Sequence, residues 1–202
     1  MIYGFWKKLK KPFFVLAPMA DVTDTAFRRI ITKYGKPDVL WTEFVSADGL
    51  CSPGRKVLIR DLEFTRKEKP IVAQLFSSKP EKMREAAALC QKLGFHGIDI
   101  NMGCPDKSIE KQGAGACMIK SPDVAMDVIN AAREGAGSLP VSVKTRIGYN
   151  TNEIKTWIKM LLEQKLPALT VHLRTRKEMS EVEAHWDLMP EIIKLRDEIS
   201  PE

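Results

Sequence analysis

The sequence lacks the features that define several common protein classes. Its four cysteines, at positions 51, 90, 104 and 117, stand far apart and form no Cys-x-x-Cys pair. That spacing argues against a zinc ribbon, a redox dithiol or a secreted disulfide framework. No segment approaches the ~20 apolar residues of a membrane span, and the lysine-rich N-terminus lacks the apolar segment of a signal peptide. We therefore expect no metal centre, no membrane anchor and a location in the reducing cytoplasm.

Two glycine signatures of nucleotide-binding folds are also missing. The first predicted strand ends in Ala17-Pro18-Met19-Ala20-Asp21, where a doubly wound fold is expected to carry Gly-x-Gly-x-x-Gly. The glycine-rich loop 111–117 lacks the Gly-Lys-Ser/Thr ending of a phosphate-binding loop. An open, doubly wound sheet is therefore the less favoured alternative for the fold.

The composition that is present suits one domain with an anionic partner. A chain of 202 residues, 44% of them hydrophobic, can bury one substantial core, so we expect a single domain over residues 1–202. The net charge of +6 favours a polyanion, although many unrelated enzymes are equally basic. The charge therefore permits a nucleic-acid partner without requiring one.

Six apolar, β-branched segments alternate with segments of helical periodicity. The predicted strands cover residues 13–20, 39–45, 71–76, 97–101, 141–148 and 168–174. Strict alternation, with reactive side chains at the strand ends, indicates an α/β fold: a parallel (β/α) barrel of TIM type, which binds ligands at the carboxyl ends of its strands. Complete barrels have eight units. We therefore expect about six of the eight, with the barrel incomplete at its C-terminus.

Other parts of the sequence carry more local predictions. Cys90 recurs at helical spacing and is predicted to be a core residue, Cys117 is interpreted as packing, and Ser121 is predicted to cap the helix that begins at Pro122. Glu43 is either a functional carboxylate or a solvated acid at a strand end. The basic connection 49–69 is either a lid or contact surface, or a solvated loop.

The stretch 97–105 carries the most chemistry. A short buried strand ends in Asn101, Gly103, Cys104 and Pro105, which together supply an amide, room for the close approach of a flat ligand, a thiol and a stiff backbone. Free cysteines are often merely small buried hydrophobes. From this stretch alone, a structural thiol and a functional one are equally compatible with the sequence.

Other strand ends supply an amide and several cations. Gln74 is a lone amide in an apolar strand and needs buried partners. Lys144 and Arg146 stand at i and i+2 on one strand face, and His172 and Arg174 end the next strand. Together with a backbone platform at Pro18-Met19 and the Cys104 thiol, these groups suit a flavin, whose ring edge accepts hydrogen bonds and gains negative charge on reduction.

Five motifs together resemble the tRNA-dihydrouridine synthases, most closely the bacterial B-type branch. The motifs, in chain order, are Ala17-Pro18-Met19-Ala20-Asp21-Val22-Thr23-Asp24, Gln74-Leu75-Phe76, Asn101-Met102-Gly103-Cys104-Pro105, Val143-Lys144-Thr145-Arg146-Ile147-Gly148 and Val171-His172-Leu173-Arg174-Thr175-Arg176. They cover nearly the whole chain, and the Asn-x-Gly-Cys-Pro signature is specific.

The resemblance implies an FMN enzyme that uses NADPH to reduce particular uridines in tRNA to 5,6-dihydrouridine. By the same resemblance, Cys104 is the proton donor to the uracil ring. The residues implied to hold FMN are Pro18, Met19, Ala20, Gln74, Lys144 and His172, and those implied to lie near the flavin or the target base are Asn101, Arg146 and Arg174. A monomer is expected for a full-length member.

Full-length members of the family continue into two further strands that bind the FMN phosphate, and then into a small helical tRNA-binding domain. None of these follows Glu202. We therefore expect a truncated barrel with open edge strands, which binds FMN weakly or aggregates when purified as written. The side chains considered for tRNA phosphate contacts are Lys7 to Lys11, Arg55, Lys56, Arg66, Lys67 and Arg176.

Two alternative functions remain open on the sequence. One is a flavin barrel that acts on a free pyrimidine, as dihydroorotate dehydrogenases do; the basic composition and the Lys144-Thr145-Arg146 motif favour the tRNA enzyme over it. The other is an inactive RNA-binding fragment that has kept the half-barrel.

Overall fold

The computed structural model describes residues 3–200 of the chain. Six parallel strands lie side by side in chain order, and helices connect them. The strands are β1 (Val15–Leu16), β2 (Val39–Ser46), β3 (Ile71–Phe76), β4 (Gly97–Met102), β5 (Val141–Arg146) and β6 (Leu169–His172). This arrangement confirms the predicted fold: a curled sheet that corresponds to six units of a (β/α) barrel. The first two and last two residues of the predicted domain lie outside the described residues.

Eight α-helices occur in the described chain. They are α1 (Thr25–Gly35), α2 (Ala47–Leu50), α3 (Arg55–Leu58), α4 (Pro80–Leu93), α5 (Lys107–Glu110), α6 (Pro122–Ala136), α7 (Lys159–Glu163) and α8 (Met189–Ile199). Short 3₁₀ segments cover Gly4–Lys8, Ile59–Leu62, Arg66–Glu68, Gly115–Lys120 and Trp186–Leu188, and a π-helical turn, Ile154–Ile158, precedes α7. Gly94 ends α4 in the left-handed conformation, with φ of 85°, as its position after the periodic segment predicted.

Two local predictions are corrected. The predicted strand 13–20 pairs only at β1, because after Pro18 the chain turns: Met19 N donates to Thr23 Oγ1 (3.0 Å), and Thr23 N donates to Met19 O (3.0 Å). Ser121 precedes α6, but its side chain makes no capping hydrogen bond. The proline at the first helical position, whose missing N–H needs no partner there, is the start signal that remains.

The basic connection 49–69 is folded onto the body of the domain. A buried ion pair joins Arg28 of α1 to Glu68, with Nε and Oε2 2.9 Å apart and both side chains 0% exposed. Arg28 also donates to the carbonyls of Thr23 (2.8 Å) and Glu63 (2.6 Å). Because these contacts satisfy both buried charges, the connection is anchored and not a loose solvated loop. The four cations of this connection that were considered for phosphate contacts are exposed: Arg55, which also pairs with Glu85, and Lys56, Arg66 and Lys67.

The main core lies between the outer face of the sheet and the helices. Alternate strand residues such as Ile98, Ile100 and Val143 pack there against α4 and α6. Cys90 belongs to this core and is 0% exposed, which confirms its predicted packing role. Burial raises the pKa of its thiol to about 12.

A smaller aromatic core closes the inner face of the sheet at the amino ends of the strands. Trp6, from the 3₁₀ turn Gly4–Lys8, packs with Val39, Trp41 and Val72. Its ring centroid lies 5.8 Å from that of Trp41 and 6.0 Å from that of Phe13. Side chains therefore fill the amino end of the inner face over β2 and β3. Trp6 and Phe13 also line a cavity of about 910 Å³, which extends to Leu169, Val171 and α8 at the open edge of the sheet.

Candidate active site

Strand register brings most of the predicted site residues to one end of the inner face. In the parallel pairs, Asn101 stands opposite Lys144, and Arg146 stands opposite His172. On the next strand, Gln74 stands opposite Asp99, which lies two residues before Asn101 and shares its face of the sheet. Since opposed residues of parallel strands share a face and alternate residues repeat it, all of these side chains leave the same side of the sheet. They do so close to the carboxyl ends of β3 to β6.

The partners that the buried amide of Gln74 required are present. Gln74 is 0% exposed; its Nε2 donates to Asp99 Oδ2 (2.6 Å), and its Oε1 accepts from Asn101 Nδ2 (3.1 Å). Ser142 Oγ donates to the other oxygen, Asp99 Oδ1 (2.5 Å). Sequence reasoning missed Asp99, although a charged residue between Ile98 and Ile100 in a buried strand was a usable signal.

Asp99 is the most deeply buried acid of the site. Its residue is 0% exposed, and burial raises the pKa of its carboxyl to about 6, against the lowering effects of Ser142, Gln74 and the positive charge of Lys144. The carboxyl is therefore mostly ionised at neutral pH. As a carboxylate it accepts hydrogen bonds and donates none.

Cys104 lies on the loop that follows β4, and the backbone of this loop is held firmly. Asn101 Oδ1 accepts hydrogen bonds from the N–H groups of Gly103 (3.1 Å) and Cys104 (2.9 Å), and the Cys104 carbonyl accepts from Ala116 N (2.9 Å). Gly115 has φ of 62°, and a Cβ there would lie 2.6 Å from the Cys104 oxygen. A side chain at position 115 would therefore displace the cysteine.

The Cys104 thiol lies in surroundings that favour its protonated form. The residue is half-buried against a cluster of Phe76, Ile109 and Ala114. Burial is the main reason that the pKa of its thiol is raised above the ordinary value, while the positive charge of Arg146 acts in the opposite direction. The thiol therefore carries its proton at neutral pH and can act as an acid.

Arg146 holds two loops of the site together. Its Nε donates to the Gly103 carbonyl (2.8 Å), and its Nη1 donates to the carbonyls of Thr175 (3.0 Å) and Met179 (2.7 Å). The side chain thus connects the cysteine loop to the segment after β6. Burial lowers the pKa of the guanidinium, and only Nη2 is left without a protein acceptor among residues 3–200.

The tautomer of His172 follows from its neighbours. Arg174 Nη1 lies 2.9 Å from His172 Nε2. Burial, together with the positive charges of Arg146, Lys144 and Arg174, lowers the pKa of the imidazole to about 4, so the ring is neutral at pH 7. Because a guanidinium only donates, Nε2 must accept and Nδ1 carries the proton. Arg174 is oriented in turn by the bond from its Nε to the Val182 carbonyl (2.7 Å).

Two donors of the site have no acceptor in the described chain. Within residues 3–200, neither Lys144 Nζ nor His172 Nδ1 forms a hydrogen bond, although both residues are half-buried and the pKa of Lys144 is lowered by burial. Donors held in this way call for a ligand that accepts hydrogen bonds and carries or develops negative charge. This donor set fits the edge of a flavin ring.

The loop with Pro18, Met19 and Ala20 follows β1, at the opposite edge of the sheet from β6. Its Met19 side chain is 42% exposed. The loop is fixed from β2, because the Asp21 N–H donates to Glu43 Oε1 (2.5 Å). Burial raises the pKa of the Glu43 carboxyl. Glu43 is thus a half-buried support of this loop, and its interpretation as a solvated acid is wrong.

A basic and aromatic group flanks the cysteine loop. Tyr149 follows β5, and its ring is faced by Lys120, with Nζ 4.3 Å from the ring centroid, and by Arg176, with Cζ at 5.4 Å. Arg176 also forms a salt bridge with Glu110. Among the predicted phosphate contacts, Arg176 is therefore already partly neutralised. Cys117 is half-buried.

The described residues also lack two other kinds of feature. In residues 3–200, no cluster of three or more His, Cys, Asp or Glu side chains has the arrangement of a metal site. None of the helices in this part of the chain has the length and apolar character needed to cross a membrane.

Comparisons with known proteins agree with the motifs. The family model "Dihydrouridine synthase (Dus)" matches residues 15–200. A "Probable tRNA-dihydrouridine synthase 2" of Bacillus subtilis is 49% identical over 204 residues, which cover 100% of this chain and 62% of that protein. A "Probable tRNA-dihydrouridine synthase" of Staphylococcus aureus is 49% identical over 98% of this chain and 60% of its own length.

A relative in Staphylococcus epidermidis with the same printed name is 47% identical over 200 residues. The chain spans about three-fifths of the length of these relatives. The family model, in contrast, matches nearly every described residue. The chain therefore belongs to the dihydrouridine synthase family.

Proposed function

We propose that this protein is an FMN-dependent tRNA-dihydrouridine synthase, which reduces uridines in tRNA to 5,6-dihydrouridine with NADPH. The observation that carries the proposal is the convergence of a protonated thiol, Cys104, with the unpartnered donors Lys144 and His172 at one end of the sheet. The names of the relatives support tRNA as the substrate class. A cytoplasmic location and a monomeric full-length protein are part of the proposal.

The residues proposed to hold FMN surround the inner face. Lys144 and His172 would donate to acceptors of the ring, and the exposed loop 18–20, with Pro18, Met19 and Ala20, would form its platform. Gln74 would act on the ring edge from below, since its side chain is fully buried. When bound and reduced by NADPH, the flavin would supply a hydride to carbon 6 of uracil.

Cys104 is proposed to supply the matching proton to carbon 5. Its buried position keeps the proton on Sγ before the reaction. Once the proton has left, the nearby positive charge of Arg146 favours the thiolate. General acid catalysis of this kind contributes about 10²–10⁴-fold to a rate. Asn101 and Arg174, with the remaining Nη2 of Arg146, would contact the target base.

The tRNA is proposed to bind across the carboxyl end of the sheet. The target base must leave its stack, which costs a few kcal/mol, and phosphate contacts offset this cost in a salt-dependent way. The cations proposed to contact phosphates are exposed residues of the connection after β2, namely Lys56, Arg66 and Lys67, together with Arg55, which is already paired with Glu85. Lys7 to Lys11 adjoin the aromatic core at the amino end, so we assign them no contact near the target base.

The decisive experiment uses the purified protein in its full natural length. tRNA from a strain without dihydrouridine is incubated with the protein, FMN and NADPH, and the nucleosides are measured by mass spectrometry. We expect dihydrouridine with the unchanged protein and none above background with Cys104→Ala. Reduction of free uracil or orotate instead of tRNA would favour the free-pyrimidine enzyme, and tRNA binding without reduction by the unchanged protein would favour a binding fragment.

A further inference from the structure

A row of side-chain hydrogen bonds runs beneath the candidate site. It begins at Ser142 and passes through Asp99, and neither residue has a role in the proposed function. Ser142 Oγ donates to Asp99 Oδ1 (2.5 Å), and Gln74 Nε2 donates to Asp99 Oδ2 (2.6 Å). On the far side of the Gln74 amide, Oε1 accepts from Asn101 Nδ2 (3.1 Å). The row thus passes from β5 through β4 and β3, and returns to the end of β4.

The row ends on the backbone that carries the thiol. Asn101 Oδ1 accepts from the N–H groups of Gly103 (3.1 Å) and Cys104 (2.9 Å). Asn101 is 7% exposed, so water has little access to this end of the row. The two side-chain amides are therefore the physical link between a buried carboxylate and the cysteine loop.

The two ends of the row require the same orientation of the Gln74 and Asn101 amide groups. A carboxylate only accepts, so Gln74 must turn its NH₂ group towards Asp99 and its oxygen towards Asn101. Backbone N–H groups only donate, so Asn101 must turn its oxygen towards Cys104 and its NH₂ group towards Gln74. If either amide turned over, like groups would face each other in a buried site, which is costly.

We propose that Asp99 is a positioning residue for the proposed reaction: as an acceptor-only group, it sets the direction of the Gln74 and Asn101 amides and thereby holds the Cys104 loop in place. The proposal rests on the proposed function for its purpose, but the hydrogen-bond direction is a property of the fold. The ionised state that it requires is favoured by the Lys144 cation, which faces Asp99, and by the bonds from Ser142 and Gln74.

A reversal of the row tests this proposal. Asn101→Asp keeps an acceptor for Cys104 N but places a second carboxylate opposite Gln74, whose single NH₂ group can face only one side. Adding Asp99→Asn restores a consistent row in the opposite direction. In the double variant, Asn at position 99 donates to Gln74 Oε1, and Gln74 Nε2 donates to Asp at position 101. Ser142→Ala is the control, because it removes the first member without changing any direction.

The readout is hydrogen exchange of the Cys104 amide, with thermal unfolding, in the flavin-free full-length protein. We expect Asn101→Asp to lower the protection of this amide about tenfold, the effect of one lost buried hydrogen bond. The double variant should return to within about twofold of the unchanged protein, and Ser142→Ala should stay within about twofold. Asp99→Asn alone should lower the protection about 3–5-fold, because an amide at position 99 can also donate and no longer fixes the direction of Gln74. If Asn101→Asp does not fold, recovery of a folded double variant supports the proposal in the same way.

The proposal is overturned if the double variant is no better than Asn101→Asp, or if Asn101→Asp leaves the protection of the Cys104 amide unchanged. Packing alone predicts additive losses and no recovery. A failure of the proposed function would appear elsewhere, as an absence of dihydrouridine with the unchanged protein. Because the exchange measurements need neither flavin nor tRNA, the two failures are distinguishable.

Discussion

The two ends of the inner sheet face differ in what their side chains require. At the amino end, Trp6, Trp41 and Val72 pack against one another, although the buried Trp41 Nε1 has no hydrogen-bond acceptor in the described chain. At the carboxyl end, Lys144 and His172 keep donors without protein acceptors in the described chain, and Asp99 remains mostly ionised although it is fully buried. The packing of the amino end therefore stabilises the fold, whereas the carboxyl end keeps buried polar groups that lower stability until a ligand binds.

The largest expected effect separates activity from stability. Cys104→Ser should lower the rate of uridine reduction by about 10²–10⁴-fold, because it removes the acid of the proposed proton transfer. The free energy of unfolding, measured with urea, should change by no more than about 1 kcal/mol, since the residue is only half-buried.

Cys117→Ala is the matched control for this substitution, because Cys117 is equally half-buried but has no proposed role. It should leave the reduction rate within about twofold. An equal loss of rate in both variants would remove the distinction between the two cysteines.

At the amino end, we expect a substitution to lower stability and to leave FMN binding nearly unchanged. Trp6→Ala should lower the free energy of unfolding by about 3–5 kcal/mol, because it leaves a cavity among the rings of Phe5, Phe13 and Trp41. The dissociation constant for FMN, measured by fluorescence quenching under native conditions, should change less than about threefold. Trp186→Ala, at a site that is 71% exposed, is the control and should cost no more than about 0.5 kcal/mol. A large loss of FMN affinity in Trp6→Ala would show that the two ends are coupled.

The sequence predicted well whatever depends on local pattern. The strands predicted at 39–45 and 71–76 from continuous apolar, β-branched runs are present as Val39–Ser46 and Ile71–Phe76, and the end of α4 follows from Gly94. The convergence of Asn101, Lys144, Arg146 and His172 also followed, because polar residues at the ends of parallel strands meet at one edge.

What could not be predicted depends on partners that are distant in the chain. Glu68 is 40 residues from Arg28, and Asp99 is 25 residues from Gln74. The local sequence around one residue of each pair therefore gives no information about its partner. The hydrogen bonds from Arg146 to the carbonyls of Gly103 and Met179 likewise form only when the loop after β6 is folded next to the cysteine loop. Strand-end pattern identified these side chains as polar groups of the site, but not the atoms that they bind.

The pH dependence of stability measures how much the ionisation of the buried Asp99 carboxyl destabilises the fold. The pKa of the Asp99 carboxyl is raised from 3.8 to about 6, so the folded protein binds this proton more tightly than the unfolded chain. Its favourable contribution is therefore complete below pH 3.8 and is lost as the pH rises through 6. Relative to Asp99→Asn, which cannot titrate, the unchanged protein should lose about 3 kcal/mol over this interval.

Urea unfolding of the unchanged protein and the Asp99→Asn variant at pH 4, 5, 6 and 7 measures this difference directly. Other carboxylates titrate in both proteins and cancel in the comparison. A difference that stays constant over the four pH values would contradict the assigned pKa shift of Asp99.

The smallest expected effect separates FMN binding from the stability of the flavin-free protein. Lys144 is half-buried without a hydrogen bond to the described chain; burial lowers the pKa of its ammonium group, while the negative charge of Asp99 acts in the opposite direction. Lys144→Met should therefore change the free energy of unfolding of the flavin-free protein by no more than about 1 kcal/mol, because the cost of burying the cation and its attraction to Asp99 are lost together. It should weaken FMN binding about tenfold through the lost charge-assisted hydrogen bond. Lys159→Met, on the exposed side of α7, should change neither value. If Lys144→Met instead lowered stability by several kcal/mol and left FMN affinity unchanged, Lys144 would be a structural member of the sheet, and the contrast between a packed amino end and a ligand-requiring carboxyl end would no longer hold.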